Sequence, residues 1–356
     1  MQSKGALICL TLLFALCGGQ TVSAQKSIEP LNDQIYSTLY QTLAPAQIEL
    51  GKKLFFDRRL SGDGTMSCAT CHIPEMLFTD GEAISLSYPT TRNWRNAPTL
   101  VNLHYSRFLF HDGRSQSLEE QALFPILSAF EMNQNLDYLE EEIRSVPAYV
   151  EEFTLAFGSP DITRERIGAA IAVFEKTLVS KNSPVDRFLQ GDSASLSAQS
   201  QLGMRIFVGK GKCIECHYGV TVSDDKFHAL KVPENPVDQK DPRVSATRRF
   251  VAKMNGFTDF NLLDTDPGRY LITKQDADWQ AFKTPTLREV AHTGPYMHNG
   301  IFQTLDEVID FFDKGGGEGN SKLTPLYLTT AEKDALKSFL NSLSGEKIVF
   351  SFPLVP

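Results

Sequence analysis

Cysteine is scarce in this chain of 356 residues: there are six, and two of them, Cys9 and Cys17, lie near the start. Long apolar runs are missing as well. The run from Ala6 to Leu16 is too short to span a bilayer, which argues against a membrane-spanning helix. Positive charge is in deficit, with 35 Lys and Arg against 43 Asp and Glu, so nothing suggests a nucleic-acid partner. Convincing strand alternation is also scarce, which excludes a β-sandwich or barrel and leaves an all-α reading with few or no strands.

What is present begins with a leader. Residues 1–24 read as a secretory signal, with Lys4 in the charged region, the apolar run, and Val22-Ser23-Ala24 as a small-residue cleavage site. Cys17 invites a lipoprotein reading, but Leu16 before it fits poorly, so soluble export to the bacterial periplasm with cleavage near Ala24 is expected. Without the leader the net charge is about −9, and an acidic surface suits a basic electron-donor protein through complementary potentials.

The four remaining cysteines fall in Cys68-Ala69-Thr70-Cys71-His72 and Cys213-Ile214-Glu215-Cys216-His217. Two cysteines two residues apart with a histidine directly behind form the covalent attachment signal of a c-type haem. Each thiol closes a thioether onto a vinyl group, and the imidazole is then placed under the iron as its axial ligand. Zinc is the alternative, but it wants four ligands gathered into one tetrahedron, whereas these signals lie far apart and each carries its own histidine. Two covalently bound haem c groups are expected, ligated by His72 and His217. No cysteine is then left for a disulfide, although the exported compartment would permit one.

The length suits two domains, and internal echoes say where they lie. Leu202 to Phe207 resembles Leu50 to Phe55, and each stretch precedes a haem signal. Downstream, Ala97 to Leu100 matches Thr284 to Leu287, and the same offset of 187 carries His111 onto His298 and Gly113 onto Gly300. It also carries Ser117 with Glu120 onto Thr304 with Glu307; each pair reads as a capping box at a helix start. The haem signals are offset by only 145, so the second half holds about 42 extra residues within the polar stretch 218–282. Pro45 suits a first helical position, Thr163 to Ser180 reads as an amphipathic helix, and a last helix turns Leu336, Phe339, Leu340 and Leu343 inward. Asn182-Ser183-Pro184 and 191–200 look like a joint, and Gly315 to Gly319 like a flexible loop. The expectation is two cytochrome c-like haem domains related by internal duplication, 25–190 (peroxidatic) and 191–356 (electron-transferring).

Two haems alone would make an electron carrier or sensor. An enzyme needs an iron with an open face and a group that moves protons there, so that the O–O bond of a peroxide breaks heterolytically. The stretch from Phe110 through Gln121 to Asn133 offers candidates.

The set Gly51 to Ser61, the first haem signal, Arg95 to Leu100, Asp112-Gly113-Arg114, Leu118 to Gln121, Glu131-Met132, Asp266 to Arg269 and Thr293 to Tyr296 resembles the bacterial di-haem cytochrome c peroxidase family. The resemblance covers nearly the whole mature chain. Phe78 to Gly81 and Asp310 to Gly316 point to its MauG-like branch, whose namesake completes the tryptophylquinone cofactor of methylamine dehydrogenase. The resemblance implies that Glu131 is the acid-base catalyst above the N-terminal haem, with Gln121 as its polar neighbour. It also implies a calcium ion between the domains, held by the Asn96 side chain and the backbone carbonyls of Thr293 and Pro295, oxygen donors that suit calcium.

Three departures qualify it. Where the peroxidases place a distal histidine sixteen residues after the first haem histidine, this chain has Tyr88, so the first iron should be open without reductive activation. At the position of the second haem's methionine or tyrosine ligand stands Phe312, which has no lone pair; either that iron lacks a protein sixth ligand, or Met297, His298 or His228 takes over. Where the family has a tryptophan between the haems, this chain has His111, which carries protons better than electrons. The reading is a periplasmic di-haem peroxidase acting on hydrogen peroxide, fed by a small cytochrome c or copper protein. The rivals are a MauG-like maturase that oxidises side chains of a partner protein, and a non-enzymatic electron carrier. An oligomer is left open.

Overall fold

The structure, a computed structural model, describes residues 26–88 and 91–356. The leader and its cleavage site lie outside the described residues. Six helices frame the molecule: α1 (Pro45–Phe56), α2 (Arg164–Glu175), α3 (Ala198–Val208), α4 (Pro242–Met254), α5 (Leu305–Asp313) and α6 (Thr330–Asn341). The only strands among the described residues are β1 (Phe227–His228) and β2 (Phe282–Lys283), paired antiparallel. The mainly helical expectation therefore holds.

Each half is organised by two helices that cross at a glycine. Pro45 opens α1 at a position where its missing N–H costs nothing. Thr163 caps α2 by accepting from the Arg166 N–H; α2 stops at Glu175, short of the Ser180 end expected from its apolar stripe. At Gly51 a Cβ would lie 1.8 Å from the Ala170 carbonyl oxygen, so only glycine lets the two backbones approach. Beside that contact Phe55 meets Phe174 edge-on at 5.3 Å. In the second half α3 crosses α6 in the same way, with 1.9 Å from a Gly203 Cβ to the Ala335 oxygen and Phe207 against Phe339 at 5.0 Å. Leu336, Phe339, Leu340 and Leu343 are all buried there.

The capping boxes differ. Thr304 and Glu307 cap α5 reciprocally. Ser117 accepts from the Glu120 N–H, but the Glu120 carboxylate turns instead to the Ser115 hydroxyl at 2.8 Å, so the first box is only half closed.

The polar insert is structured. Val244 and Ala252 of α4 pack with Leu263, Leu271 and the first half's Ile84 and Trp94 in a small core of their own. The joint is not a loose linker either: Ser183 and Asp186 form a reciprocal cap on helix Pro184–Leu189, and Val185 belongs to the second core. Nor is the glycine stretch free. Gly317 donates its N–H to the Leu230 carbonyl, and a Cβ there would fall 1.5 Å from the Lys231 oxygen. The chain ends cross over: Ile28 lies in the second core, while Ile348 and Phe350 pack on the first. Among the described residues no helix is long and apolar enough to cross a membrane.

Candidate functional site

Both attachment motifs are built to present an imidazole. Cys68–Cys71 forms a short helix capped by Ser67 and Thr70, and His72 follows it. The His72 Nδ1 lies 2.8 Å from the Phe78 carbonyl oxygen. A carbonyl only accepts, so Nδ1 carries the proton and Nε2 keeps the lone pair that a metal needs. His217, after the turn Cys213–Glu215, repeats this with its Nδ1 2.9 Å from the Val222 carbonyl. Burial pushes the His217 pKa down to about 4 and lowers that of His72, so both rings are neutral and ligand-competent. Burial also pushes the Cys71 and Cys213 thiols up to about 12. Among the described residues the one cluster of three ligating groups is Cys216, Asp224 and His228; the two motifs are not gathered into one tetrahedron.

A cleft partly open to solvent contains Cys68, Cys71 and His72 together with His111, Gln121 and Glu131. All three residues expected to act at the first haem thus meet there. Gln121 ends the short helix Leu118–Gln121, and its Oε1 is buried without a partner. Glu131 follows in a turn, where the Asn93 amide donates to its Oε1 at 3.3 Å. The His111 Nε2 donates to the Asn96 carbonyl at 3.0 Å; burial, and then the Arg95 charge, push its pKa down to about 4, so this imidazole is neutral. The remaining walls are largely apolar, with Phe55, Met66, Leu100 and Leu109 among them. Paired thiols at one edge, a lone-pair imidazole, apolar walls and an orphaned amide oxygen fit a covalently held haem with a polar distal pocket. Among the described residues, the histidines that line the cleft are His72 and His111; Tyr88, in the place of a distal histidine, is not on its wall and its N–H is given to the Phe130 carbonyl.

His111 also lies on the seam between the halves, because its carbonyl accepts the Lys283 N–H of β2 at 2.8 Å. Beside it Arg95 binds Asp112 at 2.6 Å and Asp266 at 2.7 and 2.9 Å, all three buried. Burial alone would raise the Asp112 pKa; Arg114 and Arg95 hold the carboxyl well below its ordinary value. The Arg95 guanidinium stacks over Trp94 at 4.0 Å.

His298 stacks face to face on Phe282 at 3.7 Å beside Asp266 and His111 on the seam, and burial pushes its pKa down to about 3. His228 pairs with Asp224 at 3.1 Å. Phe312 is half-buried, its ring 5.3 Å from that of Phe311, and Met297 takes a left-handed backbone in its turn. The Asn96 N–H reaches across to the His298 carbonyl at 2.8 Å, and its side-chain amide donates to the Glu82 carbonyl. Thr293 and Pro295 lie in the turn just before His298, whose own hydrogen bonds do not use their carbonyls.

Asn93, Trp94 and Glu175 were not singled out from the sequence, yet all line the cleft. Glu175 left a signal: it stands one turn beyond Ile171 on the apolar stripe of α2. Asn93 and Trp94 left none, since they sit in irregular chain.

Comparison with known proteins agrees with this geometry. The family model for di-haem cytochrome c peroxidase matches residues 45–194. The chain is 43% identical over 311 residues to cytochrome-c peroxidase IdrP2 of Denitromonas iodatirespirans, covering 87% of this chain and 84% of the relative. It is 34% identical to the methylamine utilization protein MauG of Methylorubrum extorquens, over 88% of this chain and 82% of that one. A crystal structure of a MauG-like protein associated with microbial copper homeostasis superimposes with a TM-score of 0.72 at 29% identity, covering 85% of this chain and 91% of its own. The chain therefore belongs to the di-haem cytochrome c peroxidase family and is an oxidoreductase of the cytochrome c peroxidase type that carries two covalently bound haem c groups.

Proposed function

We propose that the protein is a periplasmic peroxidase that reduces hydrogen peroxide at the N-terminal haem and draws electrons through the C-terminal haem from a small cytochrome or copper protein. One observation carries this reading: the cleft that holds the first attachment motif also holds Glu131, Gln121 and His111. In the overall change, peroxide with two electrons and two protons gives two waters; the haem iron, when bound, supplies the redox chemistry. Glu131 accepts the proton of the near peroxide oxygen and delivers a proton to the far one, so that it leaves as water. Asn93 holds the Glu131 carboxylate in place. The free Oε1 of Gln121 accepts a hydrogen bond from the peroxide O–H and orients it. His72, donating Nδ1–H to Phe78, is oriented and made more basic toward the metal. His111, neutral and tied to β2, stands where charge from the second half enters the first.

The matching glycine and aromatic crossings support descent of domains 25–190 and 191–356 from one duplicated unit. Asn96, Thr293 and Pro295 are assigned to a calcium ion that ties the halves, a reading supported by the Asn96 to His298 hydrogen bond across the seam. Export rests on the leader.

Glu131→Gln, with both haems retained, should slow peroxide-dependent oxidation of a reduced small cytochrome by about a hundredfold or more. An unchanged rate in rapid mixing would remove Glu131 from the mechanism. A maturase is the second reading, favoured by the absence of a distal histidine from the cleft. It would be selected if peroxide altered the haem spectrum while the cytochrome stayed reduced.

A further inference from the structure

Glu175 is the last residue of α2 and has no part in the mechanism above. It is 4% exposed, lines the cleft beside Cys68, and its Oε2 is buried without a hydrogen-bond partner. A carboxyl kept in a core for structure alone is normally paired. The nearest cation, Lys176, is committed to Glu119 at 2.6 Å. The other titratable groups that act on this site are Glu119 and the Cys68 thiol, which is consumed when the haem is attached. Burial, with the like charge of Glu119 added, pushes the Glu175 carboxyl up to about 8.

The second half shows what the position holds otherwise. The offset that carries Ala170 onto Ala335 and Phe174 onto Phe339 carries Glu175 onto Leu340, which is buried in the second core. One half thus keeps an apolar residue where the other keeps an uncompensated acid, and the difference lies on the haem-facing row of α2.

We propose that Glu175 is the proton partner of the electron at the N-terminal haem. When one electron from the donor protein converts the ferric iron to ferrous, one proton from water forms the O–H bond on the Glu175 carboxylate. When the iron is oxidised again, the electron leaves and that O–H bond breaks. Burial favours this coupling, because in a low-dielectric site the carboxylate is stabilised chiefly by the extra positive charge of the oxidised haem. The inference rests on the haem at Cys68, Cys71 and His72 and is independent of what the enzyme oxidises or reduces.

The test is spectroelectrochemical titration of the holoprotein at a series of pH values, reading the two haems separately. In the wild type the N-terminal potential should fall as pH rises, by up to about 59 mV per tenfold change in proton activity for a one-electron couple. Glu175→Gln should abolish that slope. Glu175→Leu, which installs the residue found at the matching position of the second half, should do the same and guards against a variant that merely folds badly. The C-terminal haem should keep its wild-type pH profile in both variants. A slope of equal size in wild type and variants would assign the proton to another group, such as a haem propionate, and overturn the proposal, as would a wild-type potential that does not change with pH. The readout is a potential rather than turnover, so a failed peroxidase assay leaves this result standing.

Discussion

Gln121 carries a cost to the fold at a place where the proposed mechanism uses it. Its Oε1 is buried and unpartnered, a state that costs about 1–3 kcal/mol. Gln121→Leu keeps the volume and removes the orphan, so the thermal midpoint should hold or rise. The rate of reaction with peroxide should fall by about tenfold, a smaller loss than at Glu131 because in the proposed mechanism Gln121 orients but moves no proton. A variant that unfolded more readily and reacted at the wild-type rate would mean that the amide serves packing alone. Residues of this kind were legible in part. The haem cysteines and histidines announce themselves by spacing, and Glu131 and Gln121 by resemblance. Asn93 and Trp94 could not be read, because their roles come from chain segments brought together only in the folded protein.

At the scale of elements, two glycine crossings hold α1 against α2 and α3 against α6. In an ordinary helix interior, alanine would be better than glycine by about 1 kcal/mol. At Gly51 the sign reverses, since the added Cβ would meet the Ala170 oxygen at 1.8 Å and force α1 and α2 apart. Gly51→Ala should therefore destabilise the first half by about 3 kcal/mol. Denaturant unfolding followed at the N-terminal haem band should show the loss, while the C-terminal haem band keeps its midpoint. Equal stability would mean that the crossing relaxes without cost. These helices were readable from Pro45, Thr163 and the apolar stripes. The half-closed box at Ser117 was not, because Glu120 finds a nearer hydroxyl in Ser115.

At the scale of the whole molecule, buried charge and crossed termini hold the halves together. Arg95 binds Asp112 of its own half and Asp266 of the other. Asp112 and Asp266 both sit below the ordinary value of 3.8, Asp112 held there by Arg114 and Arg95 and Asp266 by Arg95, against the effect of burial. With folded pKa values depressed, their contribution is complete above about pH 3.8 and is lost as pH falls through the folded values. Acid should therefore loosen the seam below that pH, and small-angle scattering with a pH series would register it. Arg95→Met removes the cation shared by two buried carboxylates, leaving Asp112 to Arg114 and Asp266 to the Gly268 N–H, and should cost about 3–5 kcal/mol, read as a lower thermal midpoint near neutral pH. A chain ending at Lys347 loses the Ile348 and Phe350 contacts with the first core, including Phe350 against Phe56 at 5.3 Å and Phe78 at 6.0 Å. It should lower the thermal midpoint at the N-terminal haem more than at the C-terminal one; equal shifts would mean that the tail acts on the fold as a whole.

By itself the sequence determined the chemistry of attachment and the helical class, because thioether formation and helix periodicity depend on neighbours within a few residues of one another. It did not determine that the insert builds its own core with Ile84 and Trp94, that the glycine stretch is docked at Leu230, or that each terminus serves the opposite half. Those outcomes depend on which apolar surfaces remain unburied once both haem domains have formed. Glu175 belongs to the same class: a glutamate on a helix stripe reads as one residue among many until tertiary packing closes water away from it and leaves a carboxyl oxygen facing the cleft.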